Sequence, residues 1–232
     1  MTGRVAVVTG GTGALGQAIT ITLLEAGGSV AIPYAVPEER EGLEARLAPE
    51  QRARLLALPA DVTREDAMGK FVHAVRDRHG RVDGLVNAVG GFAGGDLLST
   101  PLAEWERMMA LNLTSAVIAC RAVLPVMIAG GGGGRVVNIA SRAVLAPQGG
   151  FIAYTVSKAG VITLTRALSQ EVKKHRITVN AVLPSTMDTP GNRRAMPDAD
   201  RSEWVRTEDV AQVVAFLLSE PAAAVTGASL TV

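Results

Sequence analysis

Three glycines open the case for chemistry in this chain. Gly11, Gly13 and Gly16, in Thr9-Gly-Gly-Thr-Gly-Ala-Leu-Gly16, have the G-x-G-x-x-G spacing. The first glycine of such a turn permits a tight bend, the second lets a pyrophosphate approach the backbone, and the third lets the following helix pack closely. A second glycine-rich turn, Asn87-Ala-Val-Gly-Gly91, stands at the end of another apolar run. Two such turns favour a nucleotide cleft more than either alone. Further on, Tyr154 and Lys158 are four residues apart, hence one turn from each other on one helix face, and Ser141 closes the strand before them. Asn112 interrupts a long apolar helix, as a solvated residue or as a site residue with a buried amide to satisfy. Each has a plain reading too, since serines cap, tyrosines pack and lysines point to water.

The elements needed to position these residues alternate between strand and helix. Val5 to Val8 reads as a strand buried on both faces, and Ala14 onward as a helix whose amino end faces the first glycine turn. Ser29 to Tyr34 is a second strand. Its end is where a βαβ nucleotide unit carries an acidic residue for the ribose hydroxyls or a nearby arginine for a 2′-phosphate. Here that place falls to Tyr34, with Glu38, Glu39 and Arg40 following, so the choice between NAD and NADP stays open. Arg54 to Ala60 delivers Asp61 and Val62 to the ligand end of a third strand, where Asp61 also suits a turn or cap. Strands at 82–89, 135–141, 176–184 and 228–232 complete seven, with helices expected at 64–79, 101–129 and 151–175 and from Thr207, its expected cap. The expected architecture is α/β: a doubly wound parallel sheet of about seven strands with helices on both faces, residues 1–232 forming one nucleotide-binding domain. Gly130 to Gly134 reads as a flexible connector, and Ser185 to Arg206 as a long polar loop.

Composition narrows the class. With 23 Lys and Arg against 22 Asp and Glu in 232 residues, and no basic block, nucleic acid is not an expected partner. The single Cys120 cannot form an internal disulfide, and the amino terminus enters the first strand without a signal segment, so a cytoplasmic protein is expected. Charged residues and glycines are expected to break every apolar run short of a membrane span. His73, His79 and His175 are isolated, and no metal site is expected.

Taken together, the glycine turn, Asp61-Val62, Asn87-Ala-Val-Gly90, Asn112, Ser141, Tyr154 and Lys158 make the chain, from Arg4 to Val232, resemble the single-domain branch of the short-chain dehydrogenase/reductase family. The resemblance implies an oxidoreductase that moves a hydride between NAD or NADP and a carbonyl or alcohol. It implies Asn112, Ser141, Tyr154 and Lys158 as the catalytic set, with Tyr154 as general acid and base. Lys158 would favour the tyrosinate, Ser141 would polarise the carbonyl, and Asn112 would hold a water linking Lys158 to solvent. Cofactor contacts are implied at Gly10, Gly11, Thr12, Gly13, Leu15, Gly16, Tyr34, Asp61, Val62, Asn87, Ala88, Val89, Gly90, Tyr154, Lys158, Pro184, Thr186 and Thr189. The chain departs from the family pattern with Ala14, Val89 and Ser185 in place of glycine, alanine and glycine.

A more local resemblance, in Val89 to Gly95 and Leu183 to Trp204, is to quinoid dihydropteridine reductases, which implies pterin reduction as an alternative. A dinucleotide-sensing regulator without turnover is a second alternative of a different class. The family usually pairs the helices beginning near Pro101 and Phe151 across a two-fold axis. That implies a homodimer or homotetramer, with Ala116, Ala119, Cys120, Ala159, Leu164 and Leu168 as candidate contacts. The stretch 185–206 is expected to be a substrate loop that closes over the site.

Overall fold

The computed structural model describes residues 1–232. Its strands are β1 Val5–Thr9, β2 Ser29–Tyr34, β3 Leu55–Pro59, β4 Gly84–Asn87, β5 Gly134–Ile139, β6 Ile177–Leu183, β7 Met187–Asp188, β8 Val205–Arg206 and β9 Ser229–Thr231. Seven of them form one parallel sheet in the order β3-β2-β1-β4-β5-β6-β9. The helices are α1 Ala14–Glu25, α2 Pro37–Ala45, α3 Pro49–Ala53, α4 Glu65–His79, α5 Leu102–Met109, α6 Ser115–Gly130, α7 Ile152–Val172, α8 Pro190–Ala195 and α9 Thr207–Leu217. This is the Rossmann-type doubly wound α/β architecture that the strand and helix alternation implies.

The period of two in a strand explains the two-sided core. Ala6 and Val8 pack with Leu15, Ile19, Leu23 and the α9 residues Val210, Val214 and Leu217 on one face. Val5 and Val7 pack with Met68, Phe71 and Val75 of α4 and Ala119, Val123 and Met127 of α6 on the other. All five residues of β1 are buried, which is why that strand reads as an unbroken apolar run rather than an alternating one. Strand order reverses between β1 and β4, so the carboxyl ends of these two neighbours border a crevice, the usual ligand site of such sheets.

Four expectations change. Helix continues from Leu102 to Gly130, 29 residues whose best 18-residue window has mean hydropathy 1.8, long and apolar enough by length and composition to cross a membrane. Arg121 is the only charge after Arg107 in it, too little to break the run. Its sheet-facing side, with Ala116, Ala119, Val123 and Met127, lies buried in the core. Gly130 to Gly134 is not a slack connector: Gly130 ends α6, Gly131 is its left-handed cap at φ 65°, and Gly134 begins β5. Residues 185–206 are not an irregular loop but hold α8 between β7 and β8, which pair as a small parallel ribbon. Thr207 is the first residue of α9 rather than its cap, which is Arg206.

Candidate active site

The two glycine turns meet at the β1/β4 crevice. Gly10, at φ 70°, has no room for a side chain, since a Cβ there would stand 2.9 Å from Val89 N and 3.0 Å from the Ala88 carbonyl. At Gly16 a Cβ would lie 1.8 Å from the Gly10 oxygen, so α1 sits directly on the turn, with Leu15 and Gly16 both buried. Above Gly13 the space is open, the nearest atom being the Gly10 oxygen at 3.5 Å. Gly13 is the backbone cap of α1, and no side chain makes a capping hydrogen bond there. An open glycine before uncapped N–H groups fits a pyrophosphate, so the residues present suit a dinucleotide.

Asn112 reaches this crevice because α5 and α6 are joined by one π-helical turn, Ala110–Thr114. The wider turn breaks the ordinary ladder and aims Asn112 at the second glycine turn. Its Oδ1 accepts the Gly91 N–H at 2.9 Å, while its Nδ2 lies 3.1 Å from the Gly91 carbonyl and 2.9 Å from Ser157 Oγ. The Ser157 hydroxyl donates in turn to the Tyr154 carbonyl at 2.7 Å. Asn112 thus ties the loop after β4 to the helix that carries Tyr154 and Lys158. Ser157 was missed in the sequence, although its place just before Lys158 on the same helix was the available signal.

Lys158 is 5% exposed, and its ammonium donates to the Ile139 carbonyl at 2.8 Å, at the end of β5. A Cβ on Gly90 would stand 3.1 Å from its Nζ and 2.8 Å from Asn112 Oδ1, so Gly90 leaves room for both. Burial pulls the lysine down from its ordinary value to about 8. The Tyr154 phenol is pushed up by burial, against the opposing pull of the nearby Ser141 hydroxyl. Ser141 Oγ also accepts the Ala143 N–H at 3.2 Å, which fixes the turn after β5. Asn112, Ser141, Tyr154 and Lys158 are therefore brought to one place, from three different elements.

Phe92 was not singled out in the sequence. Its ring stands edge-on to Tyr154 with centroids 5.0 Å apart and 5.9 Å from Phe151, yet it is 64% exposed. The signal was an aromatic residue inside a glycine-rich loop, in a chain with only four phenylalanines.

The remaining predicted residues scatter around the crevice with varied engagements. Ala88, Val89 and Gly90 form the loop after β4, which packs on Gly10. Asn87 is buried and spends its amide on Asn138, 2.8 Å away, which passes the contact to Thr165 on α7. The Asp61 carboxylate is exposed and accepts both the N–H and the hydroxyl of Thr63, which holds it below the usual carboxylate range, with Val62 beside it. Tyr34 ends β2 beneath the Arg40 guanidinium. The Pro184 carbonyl accepts the Arg142 N–H, and the Thr186 carbonyl accepts that of Val205. Thr189 caps α8 through the Asn192 N–H at 3.1 Å, and Arg193 is neutralised by Asp188.

Comparison with known proteins decides the family. The model of the short chain dehydrogenase family matches residues 4–200. The chain belongs to that family. It is 33% identical over 242 residues to the 2-dehydro-3-deoxy-D-gluconate 5-dehydrogenase of Escherichia coli, covering 99% of this chain and 94% of that one. Against the D-beta-hydroxybutyrate dehydrogenase of Rhizobium meliloti it is 32% identical over 208 residues, covering 89% and 80%. The crystal structure of levodione reductase superposes with a TM-score of 0.92 at 28% identity, covering 100% of this chain and 96% of that one. This short-chain dehydrogenase is an oxidoreductase that moves a hydride between NAD or NADP and a small carbonyl or alcohol substrate.

The buried lysine yields a stability test. Between about pH 8 and the ordinary lysine value of 10.5, the unfolded chain holds a proton at Lys158 that the folded chain has released. Folding stability contributed by this residue therefore rises with pH across that window. Urea unfolding of the nucleotide-free protein and of Lys158→Met at pH 7.5 and pH 10 checks it. The difference between the two should move in favour of the wild type by roughly 3 kcal/mol at most. A difference flat with pH would mean that the ammonium is not desolvated.

Proposed function

We propose that Tyr154 is the general acid and base of this oxidoreductase, with Lys158, Ser141 and Asn112 tuning and placing it. The carrying observation is that a buried lysine one helical turn from the half-buried Tyr154 lies against Gly90 and the end of β5, with the Ser141 hydroxyl near the phenol. The nicotinamide supplies or accepts the hydride. In the reducing direction Tyr154 gives its proton to the carbonyl oxygen as the new C–H bond forms, and in the oxidising direction it takes the alcohol proton. Lys158, one helical turn away, offers a positive charge that lowers the energy of the tyrosinate. Ser141 lies near the same phenol and can bond the substrate oxygen beside it. Asn112 acts through position, holding Gly91 and α7 in register rather than touching the reacting atoms.

The glycines Gly10, Gly11, Gly13 and Gly16 with Thr12 and Leu15 would cradle the pyrophosphate, and Tyr34, Asp61 and Val62 would border the adenosine. Val89, Gly90, Pro184, Thr186 and Thr189 would border the nicotinamide. Phe92 forms an exposed aromatic wall beside Tyr154, fit to meet the apolar part of a substrate. We read 1–232 as one nucleotide-binding domain because a single sheet draws strands from Val5 to Thr231. A cytoplasmic site of action fits the lone, buried Cys120.

Tyr154→Phe removes the proton and little else. It should lower kcat by about a thousandfold or more while leaving dinucleotide affinity within about threefold, measured by stopped-flow turnover and calorimetric titration. Lys158→Ala should weaken both. A Tyr154→Phe enzyme with near-normal kcat would overturn the assignment.

Assembly is the next part of this reading. Of the contacts expected from sequence, Ala116, Ala119, Cys120 and Leu168 are buried inside the protomer and cannot face a partner. The outward side of α7 instead presents Val156 and Ala159, which line a groove of about 460 Å³ with Leu97, Val144, Pro147 and Ile152. Only 39% of the apolar window in the Leu102–Gly130 helix is buried by the protomer. A homodimer or homotetramer formed through these faces is expected, and sedimentation equilibrium at micromolar concentration should give at least twice the monomer mass. A monomer there would end this part of the reading.

The segment 185–206 is exposed along most of its length and follows β6 at the cofactor end of the sheet. As a substrate flap it should be cut by trypsin, at Arg194 or Arg201, faster in the free protein than with saturating dinucleotide. Equal rates would make it a fixed wall. Assay against quinonoid dihydropterin and simple ketones separates the pterin alternative by kcat/KM.

A further inference from the structure

Glu39 occupies a position that the cleft described above does not explain. In a βαβ nucleotide unit the adenosine ribose is met at the carboxyl end of the second strand. Here that strand ends on Tyr34, and Ala35, Val36 and Pro37 bring no charge. The first ionisable groups come from α2, which opens with Glu38 and Glu39 in its first turn. Glu39 folds back onto the first glycine turn, where its Oε2 accepts the Thr12 hydroxyl at 2.8 Å. Thr12 is buried between Gly11 and Gly13, so the carboxylate is anchored to the nucleotide turn itself.

The cations nearby do not cancel it. Arg40 lies over the Tyr34 ring and gives both of its terminal nitrogens to Glu44 and Glu41. Arg46 bonds the neutral amide of Gln17, which itself donates to the Thr12 carbonyl. Glu39 makes no ion pair of its own, and neither does Glu38. The ribose end of the cleft therefore carries one anchored, unneutralised carboxylate and no free guanidinium on the strand end.

We propose that Glu39, held by Thr12, selects NAD over NADP. This rests on the dinucleotide reading of the cleft. A ribose 2′-hydroxyl can donate a hydrogen bond to that carboxylate, whereas a 2′-phosphate would bring about two negative charges towards it. At a separation of about 5 Å in a solvated setting, that repulsion disfavours NADP on the order of tenfold, and salt weakens it.

Calorimetric titration of the wild type and of Glu39→Gln with NAD⁺ and NADP⁺, at roughly 20 mM and 500 mM salt, tests this. The wild type should bind NAD⁺ about tenfold or more tighter at low salt, with the gap narrowing at high salt. Glu39→Gln should raise NADP⁺ affinity about tenfold, hold NAD⁺ within about threefold, and lose the salt dependence of the gap. Wild-type binding of NADP⁺ as tight as NAD⁺, or a substitution that shifts both alike, would overturn the proposal. If the variant folds poorly, ADP against 2′,5′-ADP on the wild type serves instead: ADP must bind tighter, and the reverse order overturns it. Failure of both dinucleotides to bind the wild type would remove the cleft reading and this proposal with it, a result distinct from a reversed preference.

Discussion

The site depends on backbone approaching backbone where β1 and β4 lie side by side. Gly10 packs against the Ala88–Val89 peptide, and Gly16 brings α1 onto the Gly10 carbonyl, with distances that leave no volume for a methyl group. Because the obstructing atoms are main chain, no rotamer change could relieve a side chain there. The turn would have to open, which would displace the amino end of α1 from the crevice. The same closeness brings the loop after β4 within reach of Asn112, so the first glycine turn and the placing of Asn112 are set by one packing constraint.

The second dependence is electrostatic. Lys158 is enclosed by β5, the Gly90 loop and α7, with the Ile139 carbonyl as its one hydrogen-bond partner. Burying an ammonium with a single acceptor is unfavourable, and its pull down to about 8 expresses that. The tyrosine beside it is displaced the opposite way, because burial disfavours its anion. Each group thus resists the charge that the other would welcome. In a shielded crevice a charge on either group is felt more strongly by its surroundings than it would be on an exposed surface.

Much of this was legible in the sequence for physical reasons. Strands buried on both faces leave continuous apolar runs, and a turn that cannot hold a Cβ leaves glycine, so β1, α1 and both turns could be located by type and spacing. Tyr154 and Lys158 were legible as a pair because helical periodicity relates residues four apart. What periodicity cannot report is where a side chain goes once two elements that are distant in sequence meet. In the fold the Asn112 amide is committed to Gly91 and Ser157, through a π turn that no residue type announces. Ala116 and Ala119 looked suited to a partner helix because small residues serve both close helix contacts and sheet contacts. The long apolar helix was misjudged for a similar reason: one arginine at its solvent face does not interrupt a run whose other side is core.

The division of labour on α7 follows from its geometry. Tyr154, Ser157 and Lys158 fall on one side, towards β5 and the glycine turns, while Ile152, Val156 and Ala159 fall on another, along the outer groove. A 21-residue helix with so many apolar positions would be hard to leave uncovered on both sides. Covering the outer side would also stiffen the inner one, because a rigid helix transmits its position to every side chain it carries. Lys158 keeps its relation to Ile139 and Gly90 only while α7 keeps its tilt, so the apolar groove and the side of α7 that carries Tyr154 and Lys158 are mechanically joined through one helix.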